Sequence, residues 1–266
     1  MIGAIIGDIV GSRFEWDNHR SKEFELFAEG CFATDDSIMT LAIAGAILDS
    51  EGEDALGQQA VRWMQALGRK YPRAGYGGNF GVWLRQSDPK PYNSYGNGAA
   101  MRVSPCAWAA TKEEEVKRFS QLVTEMTHNH PEGLKGAEAT AMAIWLARNG
   151  TSIPDIRAYI NQHYYPLDFT LDSIRDTYAF DESCQGTVPE AITAFLESTS
   201  FEDALRNAIS IGGDSDTVAA ITGSIAQAYY GVPDWIREKA LTCLDEDLRD
   251  ILRRFEEKYP IVKTTG

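Results

Sequence analysis

The sequence has no long hydrophobic run, little cysteine and a shortage of positive charge, and each lack excludes a class of protein. Apolar stretches are broken by charged residues well before the roughly 18 needed to cross a bilayer, so no membrane span is expected. Met1-Ile2-Gly3-Ala4-Ile5-Ile6-Gly7-Asp8 is apolar, yet it lacks a basic flank and Asp8 interrupts it, which is not the pattern of a signal peptide. The four cysteines, Cys31, Cys106, Cys184 and Cys243, are scattered without a Cys-x-x-Cys pair. That spacing suits no zinc site and reads as free thiols in a reducing, cytoplasmic compartment. With 25 Lys and Arg against 39 Asp and Glu, the formal charge is −14, and the average field repels nucleic acid and anionic membranes. An anionic nucleotide can bind such a chain only where local donors or bound cations reverse that field. A Gly-x-Ser-x-Gly elbow, a P-loop and a Rossmann fingerprint are all missing, which removes the usual support for a serine hydrolase, an NTPase or a dehydrogenase.

Period-two alternation is nearly absent as well, and no βαβ rhythm or fixed repeat occurs. What remains is helical. Asp36 to Leu48 is apolar or small at almost every position, as in a helix buried on most sides. Leu56, Ala60, Trp63, Met64 and Leu67 repeat at helical spacing, and so do Val116, Phe119, Leu122 and Met126 after a capping-box pattern at Thr111-x-x-Glu114. Gly136 to Asn149 is alanine-rich and stops at Asn149-Gly150. Ser152 with Pro154, and Thr187 with Pro189, read as helix starts. Residues 201–211, 216–230 and 233–255 read as further helices. The stretch from Lys70 to Ser104, dense in glycine, tyrosine and asparagine, reads as a functional loop. An all-α fold follows, as one domain over residues 1–266, with 44% hydrophobic residues to build its core.

Two acidic clusters, Thr34-Asp35-Asp36-Ser37 and Gly212-Gly213-Asp214-Ser215-Asp216-Thr217, each precede an apolar helix. Helix capping accounts for any one of these residues, since Thr, Ser and Asp are favoured at N-caps and negative charge there complements the helix dipole. The pair is harder to explain that way. One cap oxygen suffices per helix, whereas several carboxylates in each of two short segments repel one another unless a cation offsets the charge. Hard oxygen donors suit Mg²⁺, Mn²⁺ or Ca²⁺ rather than Zn²⁺. If the two helix starts meet, four aspartates could hold two such ions roughly 3.5–4 Å apart. Both readings stay open on spacing alone. Tyr95-Gly96-Asn97-Gly98-Ala99-Ala100-Met101-Arg102 combines glycines that let backbone amides approach a ligand with an arginine suited to phosphate or to an internal carboxylate; a structural turn is the alternative. Thr127-His128-Asn129-His130-Pro131-Glu132-Gly133 is a weak metal signal, and a hydrogen-bonding role for its histidines fits better. His19 and His163 read as surface or structural positions.

Taken in order, five segments resemble the ADP-ribosylglycohydrolase family over most of the chain: Gly7-Asp8-Ile9-Val10-Gly11-Ser12 with Phe14-Glu15, the two acidic clusters, residues 96–102 and residues 127–133. A bacterial member of that family frees dinitrogenase reductase of ADP-ribose carried on arginine. The resemblance implies a compact orthogonal helical bundle with a dinuclear Mg²⁺ or Mn²⁺ centre. It implies Thr34, Asp35, Asp36, Asp214, Asp216 and Thr217 as metal ligands, with Asp35 or Asp36 positioning or deprotonating the attacking water. Glu15 matches a glutamate on a mobile loop, proposed as a gate over the site. Asn97, Gly98, Ala99 and Met101, with Gly96, match the strip that receives the diphosphate and distal ribose, while His128 and Gly133 lie in the ribose-side segment. The implied partner is ADP-ribose or an ADP-ribosylated protein or small molecule.

The implied chemistry is cleavage at the anomeric carbon of the distal ribose through an oxocarbenium-like transition state, with the cations orienting the ribose diol and acidifying water. Arginine linkage is the default by analogy, with serine- and O-acetyl-linked ADP-ribose as alternatives. A binding or immunity protein without turnover, and a two-metal phosphoesterase that cuts the diphosphate, are the competing readings. The loop from Tyr71 to Ser94, with Tyr76, Asn79, Trp83 and Tyr92, is expected to shape the outer rim.

Overall fold

Residues 1–260 are described by a computed structural model. Among them fifteen α-helices follow one another: α1 Ile2–Gly11, α2 Asp35–Asp49, α3 Glu53–Lys70, α4 Gly78–Trp83, α5 Gly98–Met101, α6 Ser104–Ala109, α7 Glu113–Thr124, α8 Pro131–Arg148, α9 Ile153–His163, α10 Leu171–Ile174, α11 Cys184–Leu196, α12 Phe201–Ser210, α13 Ser215–Tyr230, α14 Asp234–Thr242 and α15 Glu246–Lys258. No strand occurs among the described residues, which hold a single isolated antiparallel bridge between Gly96 and Ser183. No helix among them is long and apolar enough to cross a membrane.

Helix α1 decides where the chemistry sits. All ten of its residues are buried, so it has no polar face to show solvent and its sequence is apolar all round. It lies antiparallel to α13, and its glycines face that helix. A Cβ on Gly3 would run into the Gly223 carbonyl, and one on Gly7 into the Ala219 carbonyl. Only glycine allows this approach, and it brings the last turn of α1, with Asp8, to the first turn of α13, with Asp216. Helix α2 is buried from Asp36 to Ile47 and packs against α1, α3 and α15. It starts on Thr34, whose hydroxyl accepts from the Asp36 amide at 3.4 Å. The amino ends of α2 and α13 therefore meet at the carboxyl end of α1.

Gly7→Ala is expected to lower stability by about 3 kcal/mol, because the new methyl meets backbone that no rotamer change can move, and to weaken divalent-cation binding in parallel. Gly81→Ala, where a Cβ meets nothing within 4 Å, is the control, expected to unfold at the wild-type temperature. Calorimetric melting of both variants, with and without Mn²⁺, checks this.

Several boundaries differ from those read in the sequence. Helix α7 opens on Lys112 rather than in a box at Thr111 and Glu114; the amide and hydroxyl of Thr111 both donate to Glu115, at 2.8 and 2.9 Å. Thr187 and Pro189 do not start a helix. Ser183 caps α11, and Pro189 lies inside it, its missing donor opposite the solvent-exposed Gln185. The segment 233–255 is broken between Thr242 and Glu246, where Asp245 caps α15 by accepting from the Leu248 amide at 3.0 Å. The stretch from Lys70 to Ser104 is irregular for the most part but carries the short helices α4 and α5.

Candidate metal centre

Asp8 is wholly buried and anchors the site. Its Oδ2 accepts from the Thr34 amide at 2.9 Å and the Ser37 amide at 3.0 Å, and also from the Ser37 hydroxyl; its Oδ1 accepts from the Thr34 hydroxyl at 2.6 Å. These bonds fix the first turn of α2 against α1. Thr34 Oγ1 also stands 3.4 Å from Asp216 Oδ2. A hydroxyl has one hydrogen, and the shorter contact to Asp8 takes it, so Thr34 turns lone pairs toward Asp216.

On the facing helix Asp214 is the cap position of α13, yet its side chain makes no cap bond. Its Oδ2 instead accepts from the Asn97 amide at 2.7 Å, and Asn97 is braced by Thr187 Oγ1 at 3.1 Å. The Thr217 hydroxyl donates to Asp36 Oδ2 at 3.2 Å. Asp36 Oδ1 is buried without any partner. Capping thus accounts for Thr34 and for neither Asp36 nor Asp214. Gly212 and Gly213 hold φ of 71° and 76°, a left-handed turn that favours glycine and swings Asp214 inward. The Glu15 loop is tied to this turn: Asn18 donates to the Gly213 carbonyl and accepts from its amide, both at 2.9 Å.

Carboxylate oxygens of Asp8, Asp36 and Asp216 lie within 4.8 Å of one another, and so do those of Glu15, Asp214 and Asp216. Two overlapping groups therefore share Asp216. No Lys or Arg among the described residues forms an ion pair with any of these acids. Burial, followed by the neighbouring Asp216 charge, pushes the carboxyls of Asp35, Asp36 and Asp214 well above the ordinary range. The same two causes raise Asp8 and Glu15 to about 7, and burial raises Asp216. A divalent ion placed here would satisfy Asp36 Oδ1, use the Thr34 lone pairs and offset the repulsion. The oxygen-only donor set is that of a hard cation. Asp8 holds the first turn of α2 through Thr34 and Ser37, three of its four accepted bonds falling on Oδ2 and one on Oδ1.

The cluster floors a pocket of about 310 Å³. Of the residues singled out in the sequence, Glu15, Asp35, Asp36, Gly96, Asn97, Gly98, Met101, His128, Asp214, Asp216 and Thr217 line it, together with Asn79 and Tyr92 from the rim loop. Thr34 lies beneath the floor, and Ala99 is buried behind the wall. Gly133 is also behind the wall, where a Cβ would meet the Ser94 carbonyl at 2.7 Å and the His128 carbonyl at 3.0 Å; its place is a close approach of backbones.

Arg102 meets no carboxylate. It is 1% exposed, and its Nη2 donates to Thr127 Oγ1 at 2.6 Å and stands 3.3 Å from His128 Nδ1. Arginine can only donate, so Nδ1 is the accepting nitrogen, and Thr127 Oγ1 meets it at 2.7 Å. Burial, with Arg102 alongside, pulls His128 well below its usual range. The ring is neutral, and its Nε2 hydrogen is left for a ligand. Two contributors lay in the segments singled out in the sequence but were given no role there. Asp8 was signalled by a lone charge in an otherwise apolar helix, whereas Ser37 carried no signal beyond its neighbours.

Asn97→Ala is expected to raise the dissociation constant for Mn²⁺ about 10- to 100-fold, as loss of a partner that orients a ligand does, with little change in melting temperature in EDTA. Titration calorimetry with Mn²⁺ reads the effect.

Comparison with known proteins finds relatives over nearly the whole chain. The ADP-ribosylglycohydrolase family profile matches residues 1–263. The ADP-ribosylhydrolase ARH3 proteins of Mus musculus and Homo sapiens are each 27% identical to the chain, covering 95% of it and 88% and 90% of their own lengths. The ADP-ribosylarginine hydrolase Tri1 of Pseudomonas putida (strain GB-1) is 28% identical, over 90% of this chain and 73% of its own. A solved structure described as an ADP-ribosylglycohydrolase-related protein complex superposes with a TM-score of 0.68 at 22% identity, covering 96% of this chain and 95% of that one, which shows the shared all-helical fold. The chain belongs to the ADP-ribosylglycohydrolase family, a family of glycosidic-bond hydrolases.

Proposed function

We propose that this chain hydrolyses the glycosidic bond at the distal ribose of an ADP-ribosylated substrate and releases ADP-ribose, using two divalent cations, Mg²⁺ or Mn²⁺. Thr34, Asp35, Asp36, Asp214, Asp216 and Thr217 would hold them. Asp36 Oδ1 carries the reading: a buried carboxylate oxygen with no partner, in an acidic cluster that no lysine or arginine side chain among the described residues pairs with. When bound, such cations orient the ribose cis-diol and acidify water.

The residues of the chain supply the rest. Thr34 and Thr217 have their hydroxyl hydrogens committed to Asp8 and Asp36, so each offers lone pairs only. Asp36 is held in register by Thr217, while Asp35 and Glu15 face the open pocket. One of these two carboxylates takes the proton of the attacking water. His128 donates from Nε2 to a ribose hydroxyl, and the glycines at 96 and 98 let backbone approach the diphosphate. Among the described residues Arg102 is the only Lys or Arg lining the pocket, and it supplies fixed positive charge for that diphosphate.

Mass spectrometry of the products from arginine-, serine- and acetyl-linked ADP-ribose, with Mg²⁺, Mn²⁺ and EDTA compared, tests the proposal. Intact ADP-ribose in the presence of either ion and none in EDTA is the expected result. AMP with a ribose phosphate still joined to the arginine, serine or acetyl group would identify a phosphoesterase, and tight binding of ADP-ribose without any product would identify a binding protein.

A further inference from the structure

Trp16 and Phe180 stack on each other at the mouth of the pocket, with ring centroids 5.2 Å apart and planes at 22°. They are also among the most exposed large apolar side chains of the protein, at 79% and 41%. Paired aromatic faces left in water beside an active site mark a surface that a ligand covers. Their place is specific. Trp16 follows Glu15, whose carboxylate reaches Asp214 and Asp216. Phe180 is two residues before Glu182, whose carbonyl accepts from the Asn97 amide at 2.7 Å, and the Asn97 side chain in turn holds Asp214. Both rings therefore hang from the groups around Asp214 and Asp216.

The same pocket also holds a fixed cation. Arg102 has the Phe80 ring at 5.3 Å and stands 3.3 Å from His128 Nδ1, with Tyr92 beside His128. Glu15 and Glu182 line the pocket with the stacked pair. A ligand that carries both an anionic group and a planar cationic group finds a partner for each in this lining.

On the reading that the site hydrolyses ADP-ribosyl bonds, we propose that Trp16 and Phe180 are specificity-determining residues that receive the leaving group and select one that is planar and positively charged, a guanidinium. The diphosphate meets Arg102 and the guanidinium lies against the exposed indole face, where the ring quadrupole favours a flat cation. A neutral hydroxyl or acyl leaving group gains nothing from that quadrupole. The pair acts on selection and takes no part in bond cleavage.

The test compares kcat/KM for arginine-linked ADP-ribose and for O-acetyl-ADP-ribose in the wild type, Trp16→Ala, Phe180→Ala and Trp16→Phe, together with the affinity of each for free ADP-ribose. Trp16→Ala is expected to lose at least tenfold on the arginine substrate, mainly in KM, and less than threefold on the acetyl substrate. Trp16→Phe, which restores a ring face, is expected to recover most of that loss, and free ADP-ribose should bind all four proteins alike. Equal losses on both substrates, or weaker binding of free ADP-ribose, would place the pair against the common nucleotide and overturn the proposal, as would no loss at all. A wild type that cleaves only the acetyl ester would overturn it while leaving the hydrolase reading intact. A wild type that cleaves neither of these nor serine-linked ADP-ribose would overturn both.

Discussion

Asp36→Asn is expected to reduce divalent-dependent release of ADP-ribose by at least about 10³-fold, and in EDTA to make the protein more stable than the wild type. The combination separates a metal centre from a pair of helix caps. If Asp36 served the helix dipole, its loss would destabilise α2 by about 0.5 kcal/mol whatever the metal content. As a carboxylate crowded by Asp8, Asp35, Asp214 and Asp216, it is instead held well above its ordinary range by burial and then by those charges. A raised carboxyl pKa in the folded state means that stability is fully present below the unfolded value of about 4 and is lost as pH rises through the folded value. The metal-free wild type should therefore melt lower at pH 8 than at pH 5. Asp36→Asn should flatten that slope and gain about 1.4 kcal/mol at pH 8 for each unit by which the folded state raises the Asp36 carboxyl.

Adding the ion reverses the ranking. At 100 times its dissociation constant a ligand stabilises the folded state by about 2.7 kcal/mol, and only the wild type should collect that gain. Scanning calorimetry at pH 5 and pH 8, with EDTA and with Mn²⁺, gives four melting temperatures for each protein. Equal pH slopes for the two proteins in EDTA would remove the electrostatic argument for a cation, and full activity in Asp36→Asn would remove the ligand assignment itself.

Much of the architecture was legible because its elements are regular. The periodicity around Leu56 to Leu67 and Val116 to Met126 reappears as α3 and α7, since one apolar stripe per amphipathic helix is what packing against a core demands. Failures came where a side chain had two possible partners. Thr111 chose Glu115 over Glu114, a choice of one residue that only the entry angle of α7 decides. Pro189 looked like a first-turn proline because a helix tolerates it there most easily, but water at the exposed Gln185 makes the interior position tolerable too. Helix α1 shows a third limit: buried on all sides, it has no stripe, so nothing periodic announces it. The same burial hid Asp8. A charge inside such a helix is legible as an anomaly, but its meaning depends on Thr34 and Ser37, which are 26 and 29 residues away in sequence.

Asp8 accordingly carries the second large expectation. Asp8→Ala strips the acceptors from the buried amides of Thr34 and Ser37 and from both their hydroxyls. Leaving several buried donors unpaired should cost about 3–5 kcal/mol and lower the melting temperature by roughly 10 °C, which alone does not distinguish a structural residue from one that prepares the site. Asp8→Asn does. Its carbonyl oxygen can take the place of Oδ2 and keep accepting from Thr34, Ser37 and the Ser37 hydroxyl, so the fold should be retained within about 1–2 kcal/mol. Its amide must then occupy the place of Oδ1, where it donates to Thr34 Oγ1 instead of accepting from it. Thr34 can no longer direct its hydrogen at Asp8; the hydrogen turns toward Asp216, and the lone pairs that faced the cation are lost. Asp8→Asn should therefore melt near the wild type in EDTA yet bind Mn²⁺ about 10- to 100-fold more weakly. Wild-type Mn²⁺ affinity in a folded Asp8→Asn protein would show that Asp8 only joins α1 to α2 and does not set the hydrogen of Thr34.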